Sequence, residues 1–283
     1  MKYTFDVLEQ LADIRNQLSA VEEKVAAYIM DNAKDVVHQS ITELAENSGV
    51  SVATVSRFCR HLSLNGYQDF RMELVRSLAS IDDSASSRDI TSEDSVPAMF
   101  KKMSNLYAGS FTKTIANLDI GAFTRVCDMI VAAKDVHFIA TGNMLPIAMA
   151  AQLQFMQVST KFHCIIDISS QALSTALMNE DSLVIAFAYS GQALSVVNVA
   201  QSAKKNNAKV VAITRYSQSP LTEHADEVLI CSTNYVENMS SSLALCAGFQ
   251  FITDLLYTEY FRRNSDECAK NQEKSQNVVV SRM

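Results

Sequence analysis

Residues 40–61 read SITELAENSGVSVATVSRFCRH, a pattern of two short helices joined by a tight turn. Apolar residues in the first half follow the i, i+3, i+4 spacing that places them on one helix face. Gly49 favours the end of that helix, because glycine readily adopts the left-handed conformation found after many helix C-termini. Ser51 is a good N-cap, so a second helix is predicted from Ser51 to about His61. Two helices joined in this way are typical of a helix-turn-helix.

The second helix of the pair divides into an apolar face and a polar face. We expect four apolar residues to share its inner face: Val52, Val55, Phe58 and Cys59. The outer face carries small side chains and arginines, which suit close approach to a DNA groove and its phosphates. The predicted DNA-binding residues are on this face and on the helix that follows: Ser51, Ala53, Thr54, Arg57, Arg60, His61 and Arg71.

A helical hairpin in any all-α domain would show the same periodicity. No acidic residue lies between Glu46 and Asp69, which favours contact with a phosphate backbone. Against this, the first 80 residues contain 8 Lys and Arg but 11 Asp and Glu, and the whole chain has a net charge of -7. One such module would bind DNA weakly, so we expect DNA binding to require at least a dimer.

The length of 283 residues and a shift in composition predict two domains. We expect a helical domain over 1–80, a flexible linker rich in Ser and Asp over 81–95, an α/β domain over 96–262 and a polar, poorly ordered tail over 263–283.

Apolar runs and helical segments alternate in the second domain, which implies a parallel sheet. The runs are continuously apolar, as expected for strands that are covered on both faces. The five predicted strands are Val136–Ala140, Phe162–Ile166, Leu183–Ala188, Val210–Thr214 and Val228–Cys231. A long helix over about Ser240–Phe261 closes the domain and is one candidate dimer element.

The six cysteines form no CxxC pair, and the five histidines show no metal-binding spacing. We therefore expect free thiols, no metal site and no cofactor. The start of the chain does not resemble a signal peptide. The uncharged stretch Val136–Val158 is interrupted by polar residues and Pro146, so we predict no membrane segment and a cytoplasmic protein.

Ligands bind parallel sheets at the carboxyl ends of the strands. Ser190-Gly191-Gln192 is the best candidate there, since glycine allows close approach and the next helix N-terminus offers N–H groups to an anion. A simple turn would have the same sequence, and Arg215 in the next loop suits either the site or solvent. The predicted effector-binding residues in these loops are Thr141, Asn143, Ser169, Ser170, Ser190, Gly191 and Gln192.

Residues 40–74, SITELAENSGVSVATVSRFCRHLSLNGYQDFRMEL, closely resemble the N-terminal domain of RpiR-family bacterial transcriptional regulators. That family joins a helix-turn-helix domain to a sugar-isomerase (SIS) domain, which FAYSGQAL and ITRYSQSPL also resemble. The resemblance implies an α+β multidomain fold: an all-α helix-turn-helix domain, then an α/β SIS domain with a five-stranded parallel sheet flanked by helices. It also implies double-stranded operator DNA as a partner, a homodimer or homotetramer, and control of carbohydrate or related metabolic genes.

The resemblance further implies a sugar-phosphate effector and a role for Glu237, which is retained. However, the family usually carries hydroxyl residues where this chain has Met144, Ala188 and Ala193. We therefore expect a less charged sugar derivative, or no effector, to be favoured over a tightly held sugar phosphate.

Two other functions remain open from the sequence. A SIS-type phosphosugar isomerase would need a base beside the sugar, for which Glu237, His163 and His224 are the candidates. A DNA-binding protein that uses its SIS domain only to oligomerise would need no effector. The missing hydroxyl residues favour this last interpretation, whereas the ligand-responsive regulator accounts for both domains and the linker.

Overall fold

A computed structural model describes residues 7, 8, 11, 18–62, 64–82, 90–232 and 239–280. These residues form two compact units, which divide between Lys102 and Met103. The first unit has its own hydrophobic core, and the sheet of the second has a core on each of its faces.

The described residues between 18 and 82 of the first unit form four helices. They are α1 (Ala20–Val36), α2 (Ile41–Asn47), α3 (Val52–His61) and α4 (Tyr67–Asp82). Ser19, Ser40 and Ser51 cap the first three, because each side-chain oxygen accepts a hydrogen bond from a first-turn N–H. Gly49 between α2 and α3 has a φ of 67°, which a glycine adopts without strain. The predicted helix-turn-helix is confirmed.

The remaining elements alternate between helix and strand. They are α5 (Val96–Asn117), α6 (Ile120–Ala132), β1 (Asp135–Ile139), α7 (Leu145–Phe155), β2 (Phe162–Cys164), α8 (Ile168–Ser174), β3 (Ser182–Ala188), α9 (Leu194–Lys205), β4 (Lys209–Thr214), β5 (Glu227–Ile230), α10 (Met239–Arg263) and α11 (Ser265–Val280). All five predicted strands are confirmed, with small shifts at their ends.

The strands form one parallel sheet in the order β2-β1-β3-β4-β5. All seven residues of the central strand β3 are buried, as their continuous apolar character predicts. Because every strand runs the same way, the loops after β1, β3 and β4 leave from one edge of the sheet. This edge carries most of the predicted effector residues.

Helices cover both faces of the sheet. On one face, α6, α7 and α10 enclose an aromatic cluster in which the ring centroids of Phe155 and Phe162 are 4.5 Å apart. On the other face, α9 packs on β3 and β4. The predicted dimer helix, α10, buries Phe249 and Ile252 completely in this core. Other apolar residues of this helix are not fully covered: Leu243 is exposed, and Phe251 and Leu255 are half-buried.

The segment after α10 does not have the poor order predicted for the polar tail. It forms α11, where Cys268 is buried among the core residues. The Asn271 amide donates to the Val158 carbonyl at 2.9 Å, and the Ser275 hydroxyl donates to the Gln157 carbonyl at 2.8 Å. One buried residue and two hydrogen bonds thus hold an otherwise polar helix in place.

The predicted linker over 81–95 is partly ordered. α4 continues to Asp82, and residues 83–89 lie outside the described part of the chain. Asp94 accepts a hydrogen bond from the Thr91 N–H at 2.8 Å and pairs with Lys102 at 2.7 Å. These contacts fix the turn that precedes α5.

All six cysteines lie in the described residues as free thiols, and burial raises the pKa of Cys59 and of Cys231 to about 12. These thiols are therefore poor nucleophiles at neutral pH. Within the described residues, no cluster of His, Cys, Asp and Glu is arranged to hold a metal ion. No helix in that part of the chain is long and apolar enough to cross a bilayer.

Candidate functional site

Helix α3 presents a continuous outer face. Its buried residues Thr54, Val55, Phe58 and Cys59 pack into the first unit. The exposed residues follow the same helical spacing on the other side: Val52, Ala53, Arg57, Arg60 and His61, with Ser56 half-buried among them. A helix with one buried face and an opposite polar face fits the geometry of a recognition helix in a major groove.

Two residues of α3 lie on the opposite face from the one predicted. Thr54 is only 6% exposed, and its hydroxyl lies 3.0 Å from that of Ser51, the capping residue. It is about 40° from the buried Phe58 around the helix axis, so it joins the inner face. Val52 is 40% exposed, because it is the first residue of the helix and projects beyond the core.

The basic side chains of the first unit differ in whether they form ion pairs. Arg57 and Arg60 are exposed, and neither has an ion-pair partner among the described residues. His61 lies 3.3 Å from Glu22, while Arg76 pairs with Glu73 on its own helix. Within the described part of the chain, Arg57 and Arg60 of α3 therefore have no ion pair to break before they meet DNA.

Arg71 lies away from the α3 face. It lines a cleft of about 480 Å³ at the start of α4, together with Ser40, Ile41 and residues 65–69. The carboxylate of Asp69 also lines this cleft and accepts a hydrogen bond from Asn65 at 2.7 Å. The cleft therefore combines one arginine with one carboxylate.

A pocket of about 240 Å³ lies at the carboxyl ends of β1 and β3. Its lining consists of Thr141, Asn143, Met144, Phe187, Ala188, Tyr189, Ser190 and Ala193. None of these lining side chains carries a formal charge. The polar groups are two hydroxyls on small side chains, one amide and the phenol of Tyr189, set against an apolar wall.

The N-terminus of α9 adds backbone donors to this pocket. Ala193 precedes α9 and has no side-chain oxygen to accept the first N–H groups of that helix. At α7, by contrast, the Leu145 N–H donates to the Gly142 carbonyl and Pro146 has no N–H. The first N–H groups of a helix have no partner within the helix, so those of α9 supply partial positive charge next to the pocket.

The loop after β3 is fixed by the loop after β4. Gly191 has a φ of 70°, and its carbonyl accepts a hydrogen bond from the Leu221 N–H at 3.0 Å. A Cβ atom at this position would lie 2.0 Å from the Ser219 Oγ and 2.5 Å from its Cβ. Only glycine therefore allows the two loops to meet this closely.

Arg215 packs against Tyr189 and forms two hydrogen bonds with it. Its Nη1 donates to the Tyr189 hydroxyl at 2.7 Å, and its backbone N–H donates to the Tyr189 carbonyl at 3.0 Å. The guanidinium also lies 5.7 Å from the ring centroids of Tyr189 and Tyr216. Arg215 is 7% exposed, so the alternative of a solvated loop arginine is wrong.

Two family models match the chain. Residues 5–81 match the helix-turn-helix domain of the rpiR family, and residues 129–252 match the SIS domain. The chain belongs to the RpiR family. It is a DNA-binding transcriptional regulator in which a helix-turn-helix domain precedes a SIS domain.

Relatives of this RpiR-family chain align over most of its length. A helix-turn-helix-type transcriptional regulator from Clostridium perfringens is 25% identical over 97% of this chain and 99% of its own. The regulator HexR from Pseudomonas aeruginosa is 29% identical over 76% of this chain and 75% of its own. The structure of Vibrio vulnificus NanR complexed with ManNAc-6P superposes with a TM-score of 0.64 at 24% identity, covering 98% of both chains.

The structure brings together some of the predicted effector residues of this regulator. Thr141, Asn143 and Ser190 line one pocket, and Gly191 and Gln192 continue the same loop. The following two predicted residues are exposed on α8 and do not line that pocket: Ser169 and Ser170. The Asp167 carboxylate caps α8 by accepting a hydrogen bond from the Ser170 N–H, so the two serines belong to the first turn of that helix. Glu237, also predicted, lies outside the described residues.

Two positioning residues were not predicted from the sequence. The fully buried Gln171 amide donates to the carbonyls of Ala140 and Ile165, which fixes the ends of β1 and β2 beside Thr141. Tyr189 enters the lining between Ala188 and Ser190. A buried amide between two strand ends leaves no periodic signal, so only the structure reveals it.

Proposed function

We propose that this regulator contacts operator bases through the outer face of α3 and responds to a small sugar-derived effector bound at the ends of β1 and β3. The observation that carries the proposal is the pair of exposed arginines, Arg57 and Arg60, which have no ion-pair partner among the described residues. Arginine forms bidentate hydrogen bonds with guanine in the major groove. Arg71 would instead contact the backbone, because it lies off this face.

The uncharged pocket lining favours an effector with little charge. A phosphate dianion needs several donors, and its burial with too few is costly. Thr141, Asn143, Ser190 and the α9 N-terminus suit hydroxyl groups and a weak anion such as a carboxylate. The NanR structure holds a sugar phosphate, ManNAc-6P, so a phosphorylated amino sugar is the competing ligand class for this pocket.

We expect calorimetry with hexose, pentose and amino-sugar phosphates to show binding weaker than micromolar. The physical reason is the lack of a charged side chain among the lining residues. The Ser190→Ala variant is the matched control, because it removes one pocket hydroxyl and leaves Gly191 in place. Micromolar binding of any of these phosphates, abolished by Ser190→Ala, would contradict this ligand class and leave the DNA-binding proposal intact.

The position of the histidines disfavours an isomerase. His163 is exposed on β2, and His224 lies in the turn before β5. Neither of them lines the pocket, so neither is placed as a base beside a bound sugar. We therefore propose that the chain binds its ligand without converting it.

Operator binding should require two copies of the chain. One module supplies few free arginines, and two linked modules gain affinity through effective concentration by about 10²–10⁴-fold. The fragment 1–82, which retains the first core and all of α4, should bind operator DNA more weakly by a factor in that range. Gel-shift titration of fragment and full chain on one DNA checks this, and equal affinities would refute it.

A further inference from the structure

The loop between α3 and α4 contains the one Asn-Gly pair of the sequence, Asn65-Gly66. The pair lies between His61, where α3 ends, and Tyr67, where α4 begins. Asn65 is exposed to solvent and lines the cleft that also contains Arg71. An asparagine side chain is most readily attacked by the next backbone nitrogen when glycine follows it, because glycine has no Cβ atom to obstruct ring closure.

The backbone nitrogen of Gly66 is available for this attack. Among the described residues, none accepts a hydrogen bond from the Gly66 N–H. A Cβ atom built at Gly66 would have nothing within 4 Å, so the space beside the residue is open. The Gly66 carbonyl accepts a hydrogen bond from the Phe70 N–H at 3.0 Å, which places Gly66 directly before the first turn of α4. The nitrogen itself therefore lies outside the helical hydrogen-bond ladder.

Asn47-Ser48 in the same unit shows the opposite arrangement. Asn47 is also exposed, but it is the last residue of α2, and the Ser48 N–H donates to the Leu44 carbonyl at 3.0 Å. Attack by the Ser48 nitrogen would first have to break this hydrogen bond. The Cβ atom of Ser48 also stands beside that nitrogen. Asn47 is therefore an internal standard for the reactivity of Asn65.

We propose that Asn65-Gly66 is a site of spontaneous deamidation whose product weakens DNA binding. The Gly66 nitrogen loses its proton to hydroxide and bonds to Cγ of Asn65. The bond from Cγ to Nδ2 then breaks, and ammonia leaves after taking a proton from water, which closes a five-membered succinimide ring. Water opens the ring at either carbonyl to give aspartate or isoaspartate. The net reaction consumes one water, releases one ammonia and transfers no electrons.

Deamidation places a carboxylate where the chain has a neutral hydrogen-bond donor. The Asn65 amide donates to the Asp69 carboxylate at 2.7 Å, so the product sets two carboxylates side by side in the cleft that holds Arg71. It also introduces an acidic residue between Glu46 and Asp69, a stretch that has none. DNA phosphates are repelled by this added charge. The effect on DNA rests on the proposed function, since it requires this cleft to face the operator backbone.

Peptide mass spectrometry of the full chain, kept in mildly alkaline buffer without DNA, tests the chemistry. Trypsin separates the two asparagines, because cleavage after Lys and Arg gives one peptide over 35–57 and another over 61–71. The Asn65 peptide should steadily gain the mass of an exchange of NH₂ for OH, while the Asn47 peptide changes far more slowly. Equal rates at Asn65 and Asn47 would overturn the assignment.

Gly66→Ala is the matched variant for the chemistry. Gly66 is not among the residues with a positive φ, and an added Cβ meets nothing within 4 Å, so alanine fits without strain. The variant should slow deamidation at Asn65 by roughly tenfold or more, which corresponds to a barrier higher by about 1.4 kcal/mol. An unchanged rate in Gly66→Ala would show that the glycine nitrogen is not the attacking group.

Gel-shift titration on one unrelated DNA duplex tests the consequence, because backbone contacts do not depend on sequence. Aged wild type should bind the duplex more weakly than fresh protein by roughly 5- to 10-fold at about 0.1 M salt, the effect of one phosphate contact. Equally aged Gly66→Ala should keep its affinity. Asn65→Asp should reproduce the loss, whereas Asn65→Gln should not, because glutamine is neutral and too long to close the five-membered ring.

The two measurements fail independently. Fully deamidated protein that binds the duplex as fresh protein does would overturn the consequence and leave the proposed reading of bases by Arg57 intact. Aged Gly66→Ala that loses affinity as fast as the wild type would overturn it as well. The mass spectra contain no DNA, so an unreactive Asn65 would overturn the modification site without bearing on the proposed function.

Discussion

Arg57→Ala is expected to weaken binding to the specific operator by about 1–3 kcal/mol, or roughly 5- to 150-fold. Arg57 lies in the middle of the outer face of α3, and no described residue forms an ion pair with it. A bidentate contact to guanine would be lost completely, because alanine offers no donor. Gel-shift titrations on operator and on unrelated DNA measure the effect and its specificity.

Arg71→Ala is the matched control for this change, since it also removes one arginine from the same unit. Arg71 lines the cleft at the start of α4 and not the α3 face. Its loss should weaken all sequences similarly and reduce the slope of log affinity against log salt by about one unit. An Arg57→Ala variant with wild-type operator affinity would show that α3 is oriented differently on DNA.

Gly191→Ala is expected to destabilise the second unit by about 2–5 kcal/mol. A φ of 70° costs a residue with a Cβ about 1–2 kcal/mol. The added Cβ would also meet Ser219 at 2.0–2.5 Å, and overpacking of this kind costs about 1–3 kcal/mol. Urea unfolding of the full chain, monitored as the loss of the second unit, gives the free energy of unfolding.

Two further variants separate the conformational part of this loss of stability from the steric part. Gly142 has a φ of 56° and nothing within 4 Å of an added Cβ, so Gly142→Ala should show the conformational cost alone. Combining Gly191→Ala with Ser219→Gly should recover the steric part. Equal stability losses for Gly191→Ala and Gly142→Ala would mean that the two strand-end loops do not pack as closely as described.

Periodicity was sufficient to predict the helix-turn-helix and all five strands, because burial on a regular element repeats along the sequence. It failed for Thr54 and Val52, which lie in the first turn of α3. There the capping contact of Ser51 and the end of the core decide which side chain is covered, and periodicity encodes neither. The burial of each side chain, which the structure supplies, is therefore what separates Thr54 from the other predicted DNA contacts.

The pocket shows a similar division between local and long-range information. Thr141, Asn143 and Ser190 were predicted because strand ends gather in parallel sheets. Ser169 and Ser170 were included for the same reason, but β2 ends at Cys164, and both serines belong to the first turn of α8. The burial of Arg215 against Tyr189 joins residues 26 positions apart and has no local signature.

Selection of bound sequences from a random DNA pool tests the central claim most directly, because the protein itself then chooses the operator sequence. The full chain should enrich two half-sites separated by about one helical turn or a multiple of it, as expected for two recognition helices on one DNA face. Arg57→Ala should lose preference at one base pair of each half-site. If the wild type enriches no sequence, or if Arg57→Ala enriches the same motif with the same strength, α3 does not read the operator.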